Sequence, residues 1–145
     1  MFVIENLSEL AVYHGGPQLI ATISEITTPF FVTPSIEMAT SYAVDRSHDA
    51  GTVTQFAFSP QHLATSEDIK RACSVNRLLD DFFDSPDHEF LSPNIRAESK
   101  LIITTLTQQG FDAVSISDYG MDCPFTTYDT YVVLDTSCLS NPRAI

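Results

Sequence analysis

Val12-Tyr13-His14-Gly15-Gly16 closes an apolar run with a histidine and two glycines. Residues without a Cβ let the main chain take positive φ and let a ligand approach it closely. The imidazole beside them offers one donor and one acceptor at neutral pH, which suits a carboxamide or a ribose. The stretch therefore reads as a strand entering a polar turn. His14 is either a ligand-binding group or simply a residue exposed at that turn.

Upstream, residues 2–13 read as a first strand or strand pair. Downstream, Pro17–Ile26 is irregular, and Phe30-Phe31-Val32-Thr33 is a compact β-type run closed by Pro34. A helix is predicted over Ser35–Ala43, capped by Thr33 or Ser35, with Ile36, Ala39 and Ala43 on one face. Tyr42 stands at the edge of that face, as a core-edge aromatic or with its hydroxyl end presented to a ligand. Asp45–Gly51 reads as a loop and Thr52–Phe58 as an alternating strand, after which His62 lies on the surface. A helical stripe runs from Ser66 to about Phe83, and the acidic loop Asp84–Glu89 is either a solvated connector or a dock for a basic partner. A further helix is predicted from Pro93 to Gln109, ended by Gly110. Phe111–Ser117 and Tyr128–Leu134 are strands, and the residues after them form a polar tail. With few βαβ units, the order predicts an α+β domain spanning residues 1–145.

At 145 residues, 43% of them hydrophobic, the chain can bury a core. No run approaches the ~20 apolar residues of a membrane span, and Met1–Leu10 has no basic residue to suggest a leader. Cys73, Cys123 and Cys138 are odd in number and far apart, matching neither a disulfide framework nor a zinc site. A cytoplasmic protein with reduced thiols and no metal is expected. Nineteen acidic residues against seven basic give a net charge of -12. That surface repels nucleic acid and anionic membranes and would steer towards a basic protein.

Four pieces share an order and spacing: Tyr13-His14-Gly15-Gly16, Phe31-Val32-Thr33 with Ala39 and Ser41-Tyr42-Ala43, Gly110-Phe111-Asp112-Ala113-Val114, and Tyr131-Val132-Val133-Leu134-Asp135. Together they resemble the mono-ADP-ribosyltransferase fold in its small bacterial-toxin and phage-effector form. The resemblance implies two small antiparallel sheets forming an NAD cleft flanked by helices. It also implies that His14 holds a ribose hydroxyl, the Gly15 backbone anchors the carboxamide and Tyr42 stacks on the nicotinamide. Tyr13, Thr33 and Thr130 would complete the cofactor wall. Cleaving the glycosidic bond builds oxocarbenium-like charge, so a carboxylate is required nearby.

The family's glutamate position before the last Tyr-Val-Val strand is Thr130 here. Asp129 adjoins it, but one residue of shift turns a strand side chain to the other face. Val114-Ser115-Ile116-Ser117-Asp118 is similar to a Val-x-x-x-Asp spacing in minimal members, among them anti-CRISPR ADP-ribosyltransferases. Asp118 is the first candidate catalytic carboxylate and Asp129 the second, with an Asx-type turn as the structural alternative for Asp118. Tyr128 occupies a position that often carries an acid or glutamine when arginine is modified. The resemblance thus implies mono-ADP-ribosyl transfer from NAD to a protein other than through a simple arginine-specific site, and the net charge points to a basic target. The alternative is a catalytically inactive acidic inhibitor, a nucleic-acid mimic on the same fold.

Overall fold

Two glycines do not stop the first strand: β1 (Leu10–Gly16) runs through both. The positive-φ glycines among the described residues are Gly51 and Gly110. The computed structural model describes residues 10–47, 51–75, 96–119 and 127–145, with some side chains at element ends, those of Asp118 and Asp129 included, outside the described set. The expected strand before residue 10, the Ser66 helix beyond residue 75, the Asp84–Glu89 loop and the Pro93 helix start also lie outside it.

The chain continues through β2 (Phe30–Val32), α1 (Ile36–Ser47), β3 (Thr52–Phe58), β4 (Leu63–Ala64), α2 (Ser66–Val75) and α3 (Arg96–Gln108). It ends with β5 (Ala113–Tyr119), β6 (Thr127–Val133) and β7 (Leu139–Ala144). One sheet has the order β1-β3-β7 and the other β2-β6-β5-β4. The α+β architecture with two small sheets is as expected, but the second sheet is mixed: β4 runs parallel to β5.

The expected polar tail is largely a strand. β7 pairs with the edge of β3, anchored by buried Leu139 and the preceding buried Cys138. Its sequence, LSNPRA, lacks alternation, so this partner rather than intrinsic propensity makes it a strand. Asp118 likewise does not form a turn, because β5 continues through it in register with β6.

Packing follows from the pleat. Val12, Phe30, Val32, Phe56, Phe58, Val133 and Leu139 fill the space between the sheets. On the other face of the second sheet, Val114, Ile116 and Val132 meet Ile69 and Ala72 of α2 and Ile102 and Leu106 of α3. β5 is thus buried on both faces, which explains why Ala113, Val114 and Ile116 are all inaccessible. No helix among the described residues is long and apolar enough to cross a membrane.

Helix ends obey local chemistry. Ser35 caps α1 by accepting the Met38 N–H at 3.1 Å, while Thr33 accepts the Ser35 N–H at 3.2 Å. Pro34 therefore precedes the cap. α1 also extends into the expected Asp45 loop. Its buried face is Met38, Ala39 and Ala43, with Ile36 left exposed in the first turn. α3 ends in a Schellman motif: Gly110 at φ 89° donates to Thr107 O, and Phe111 N–H reaches Leu106 O. In α2, Asp68 accepts the Thr65 N–H at 2.9 Å, and this bond chiefly holds its carboxyl below the usual range, helped by Arg71.

Asp112 ties the loops below β5 together. Its carboxylate accepts the N–H groups of Gln61 and His62, and its carbonyl accepts those of Leu134 and Asp135. Next to it, burial and the Asp112 charge push the Cys138 thiol up to about 12. At pH 8 only about one thiol in ten thousand would ionise, and the thiolate is the reactive form. We therefore expect Cys138 to resist iodoacetamide in native protein and to react after denaturation, as peptide mass spectrometry would show. Native labelling comparable to that of the unfolded chain would contradict this burial.

Candidate functional site

The two sheets meet at Tyr13 of β1, which bridges to Thr33 just past the end of β2. Its N–H donates to Thr33 O at 2.7 Å, and its carbonyl accepts the Thr33 N–H at 2.9 Å. Tyr13 thereby spends both main-chain groups on Thr33, although it also lies opposite Gln55 in the antiparallel β1–β3 ladder. Main-chain groups alternate direction along such a strand. Gly15, two residues on, consequently turns its N–H and C=O to the same side as Tyr13, away from β3. There it lines a cleft of about 210 Å³ together with His14, Phe30, Thr33, Tyr42 and Thr130.

Each wall has an identifiable cause. The His14 ring stacks on Phe30 with centroids 4.1 Å apart. Its Nδ1 lies 2.8 Å from the Phe31 carbonyl, which can only accept, so Nδ1 carries the proton and Nε2 is the acceptor of the neutral ring. A Cβ on residue 16 would come 3.1 Å from Nε2, so Gly16 leaves room for the imidazole. Gly15 also has a packing task on its other side. A Cβ there would lie 1.7 Å from the Ala39 carbonyl oxygen, because α1 is seated directly on β1. That contact brings Tyr42, one turn further along α1, to the cleft.

Thr130 forms the β6 wall. It is 2% exposed, pairs with Ile116 across the ladder and directs its hydroxyl to the Met38 sulfur at 3.8 Å. Of the residues singled out from sequence, Tyr13, His14, Gly15, Thr33, Tyr42 and Thr130 all line this one cleft. Asp118 and Asp129 belong to the adjoining ladder, opposite Tyr128 and Ser117 respectively. By register, position 118 shares the pleat parity of positions 116 and 130, whereas position 129 has the other.

Sequence reasoning missed Met38, the partner of Thr130, and the Phe30-Phe31 pair that fixes His14 by stacking and by its carbonyl. The double Phe was visible, but nothing in its spacing tied it to a histidine 17 residues earlier. Among the described residues no cluster of three or more metal-ligating side chains occurs.

The lining combines an amide-complementary backbone edge, aromatic rings, an imidazole and two buried threonines. That set suits a planar aromatic carboxamide carrying a polar substituent. The volume is below the ~300–1,000 Å³ of sites for drug-sized ligands, so the cleft has room for a small ring or one end of a larger molecule.

No protein-family model and no curated protein matches this sequence. Among solved structures, the chain is similar to a protein described as an anti-CRISPR protein, known from its crystal structure. The TM-score is 0.56 at 14% identity, over 94% of this chain and 96% of that one. At that identity the likeness establishes a shared overall fold.

Proposed function

We propose that this chain is an NAD-dependent mono-ADP-ribosyltransferase. It would act as a phage or bacterial effector on a basic protein of a nucleic-acid-binding complex, such as a CRISPR assembly. The observation that carries the reading is convergence. His14, Gly15, Tyr42 and Thr130 lie on three separate stretches of sequence, yet line one cleft. The whole-chain likeness to an anti-CRISPR protein supports the effector role, and the net charge of -12 favours a basic target.

In this reading the Gly15 edge pairs with the carboxamide, and the aromatic face of Tyr42 favours the cationic ring. The C1′–N bond breaks and its electron pair leaves with neutral nicotinamide. A nucleophile on the target protein bonds to C1′ and releases its proton. The cleft supplies orientation, and the developing positive charge requires a carboxylate, for which Asp118 is the candidate.

A second reading is favoured by one specific observation: the family's glutamate position is the neutral Thr130. On that reading the chain is an acidic inhibitor without turnover. The test is incubation of biotin-labelled NAD and the protein with a bacterial lysate containing a CRISPR system. We expect a labelled protein band that is absent with His14→Ala. No band, together with no thermal shift on adding NAD, would remove the enzyme and leave the inhibitor.

A further inference from the structure

We infer that the outer face of the β1-β3-β7 sheet carries a second ligand site, apart from the cleft, built for a small anion with a flat apolar body. α1 covers the Gly15 end of this face. At the other end lies a hollow of about 220 Å³, lined among others by Ala11, Gln55, Ala57, Asn141 and Arg143. Ala11, Gln55 and Ala57 alternate with the core residues Val12, Phe56 and Phe58, so they face outward. Ala11 lies opposite Ala57, and Gln55 opposite Arg143. Such cross-strand partners stand side by side. Two methyl groups thus form a shallow floor, with an amide and a guanidinium along its rim.

An irregularity shapes that rim. Between the pairs Gln55–Arg143 and Ala57–Ser140, β3 advances two residues while β7 advances three. The extra residue makes a β-bulge, a device that re-aims side chains and recurs beside functional sites. Within the bulge Asn141 takes φ 53°, the one positive φ at a non-glycine among the described residues. Backbone held in this region costs energy, and such residues concentrate at ligand clamps. Here the bulge sets a second amide on the rim.

Charge selects the ligand. The ion pairs among the described residues are Lys70–Glu67 and Arg71–Asp68, and the exposed Arg143 enters neither, in a chain with 19 acidic residues. A planar guanidinium grips carboxylate or phosphate with two parallel hydrogen bonds. The side-chain amides of Gln55 and Asn141 each add donors and an acceptor. The net charge of -12 repels anions at long range, so capture depends on contact with Arg143 rather than on steering. A ring attached to the anion would lie flat on the alanine floor.

NMR titration of isotope-labelled protein with benzoate, phenyl phosphate and the neutral benzamide tests this. We expect the anions to shift the amide signals of Gln55, Ala57 and Arg143 saturably, and benzamide to bind at least about tenfold more weakly. The tighter of the two anions identifies carboxylate or phosphate as the group held. Arg143→Gln should weaken anion binding about tenfold or more. Ala11→Leu keeps the charge but fills the floor, and should weaken it at least about threefold. Both positions are exposed, so both variants should fold. Benzamide binding as tightly as the anions, an affinity unchanged by either variant, or no shift at these three residues would overturn the site. Neither variant touches a residue of the cleft, so this site stands or falls apart from the NAD reading.

Discussion

Gly15→Ala is expected to be the most destabilising single-methyl substitution in the described cleft. The added Cβ would lie 1.7 Å from Ala39 O, 2.7 Å from Ala39 C and 2.9 Å from Ala43 N. All three are backbone atoms of α1, so no rotamer change relieves the clash. The helix must lift off β1, and its second seat resists: a Cβ at Gly51 would meet the Ala43 carbonyl oxygen at 2.4 Å. Ordinary overpacking costs about 1–3 kcal/mol, and a backbone clash this deep belongs at or beyond the top of that range. For a chain of this size, about 3–4 kcal/mol corresponds to a fall in Tm of roughly 10 °C, measurable by circular dichroism.

Gly16→Ala provides the control, because its Cβ meets only the His14 ring at 3.1 Å. It should melt near the wild type while disturbing ligand binding. A Gly15→Ala variant melting within about 2 °C of wild type would contradict the close seat of α1.

This pair also shows what the sequence could and could not convey. The strand pattern, the Ser35 cap and the Gly110 stop were legible because each depends on neighbours within a few residues. The cleft-lining residues were legible as types but not by task. Gly-Gly announced a need for a bare backbone, and only the fold shows that the first glycine admits a helix and the second an imidazole. β7 was illegible for a related reason, since Ser140, Asn141, Pro142 and Arg143 carry no strand pattern. Their order comes from β3, more than 80 residues earlier. Met38 lies within the expected helix, and its contact with Thr130 spans 92 positions, beyond the reach of any local pattern.

Positions 118 and 129, the two candidates for the catalytic carboxylate, differ in pleat register. Position 118 lies two residues beyond Ile116, which pairs with Thr130, and therefore has the parity of the cleft-lining Thr130. Position 129 has the opposite parity. A carboxylate facing developing positive charge is worth most in a water-poor site, where removing one preorganised group typically lowers kcat about 10²- to 10³-fold. Asp118→Asn keeps the size and removes the charge. With labelled NAD and the modified target, its kcat is expected to fall at least about a hundredfold, with KM for NAD within about threefold of wild type. Asp129→Asn should retain kcat within a few-fold. The split matters because a folding defect would lower the active fraction and be visible in the melting curve, whereas loss of charge stabilisation would not. If the hundredfold loss appears in Asp129→Asn instead, the pleat parity argument fails and the catalytic charge belongs to β6.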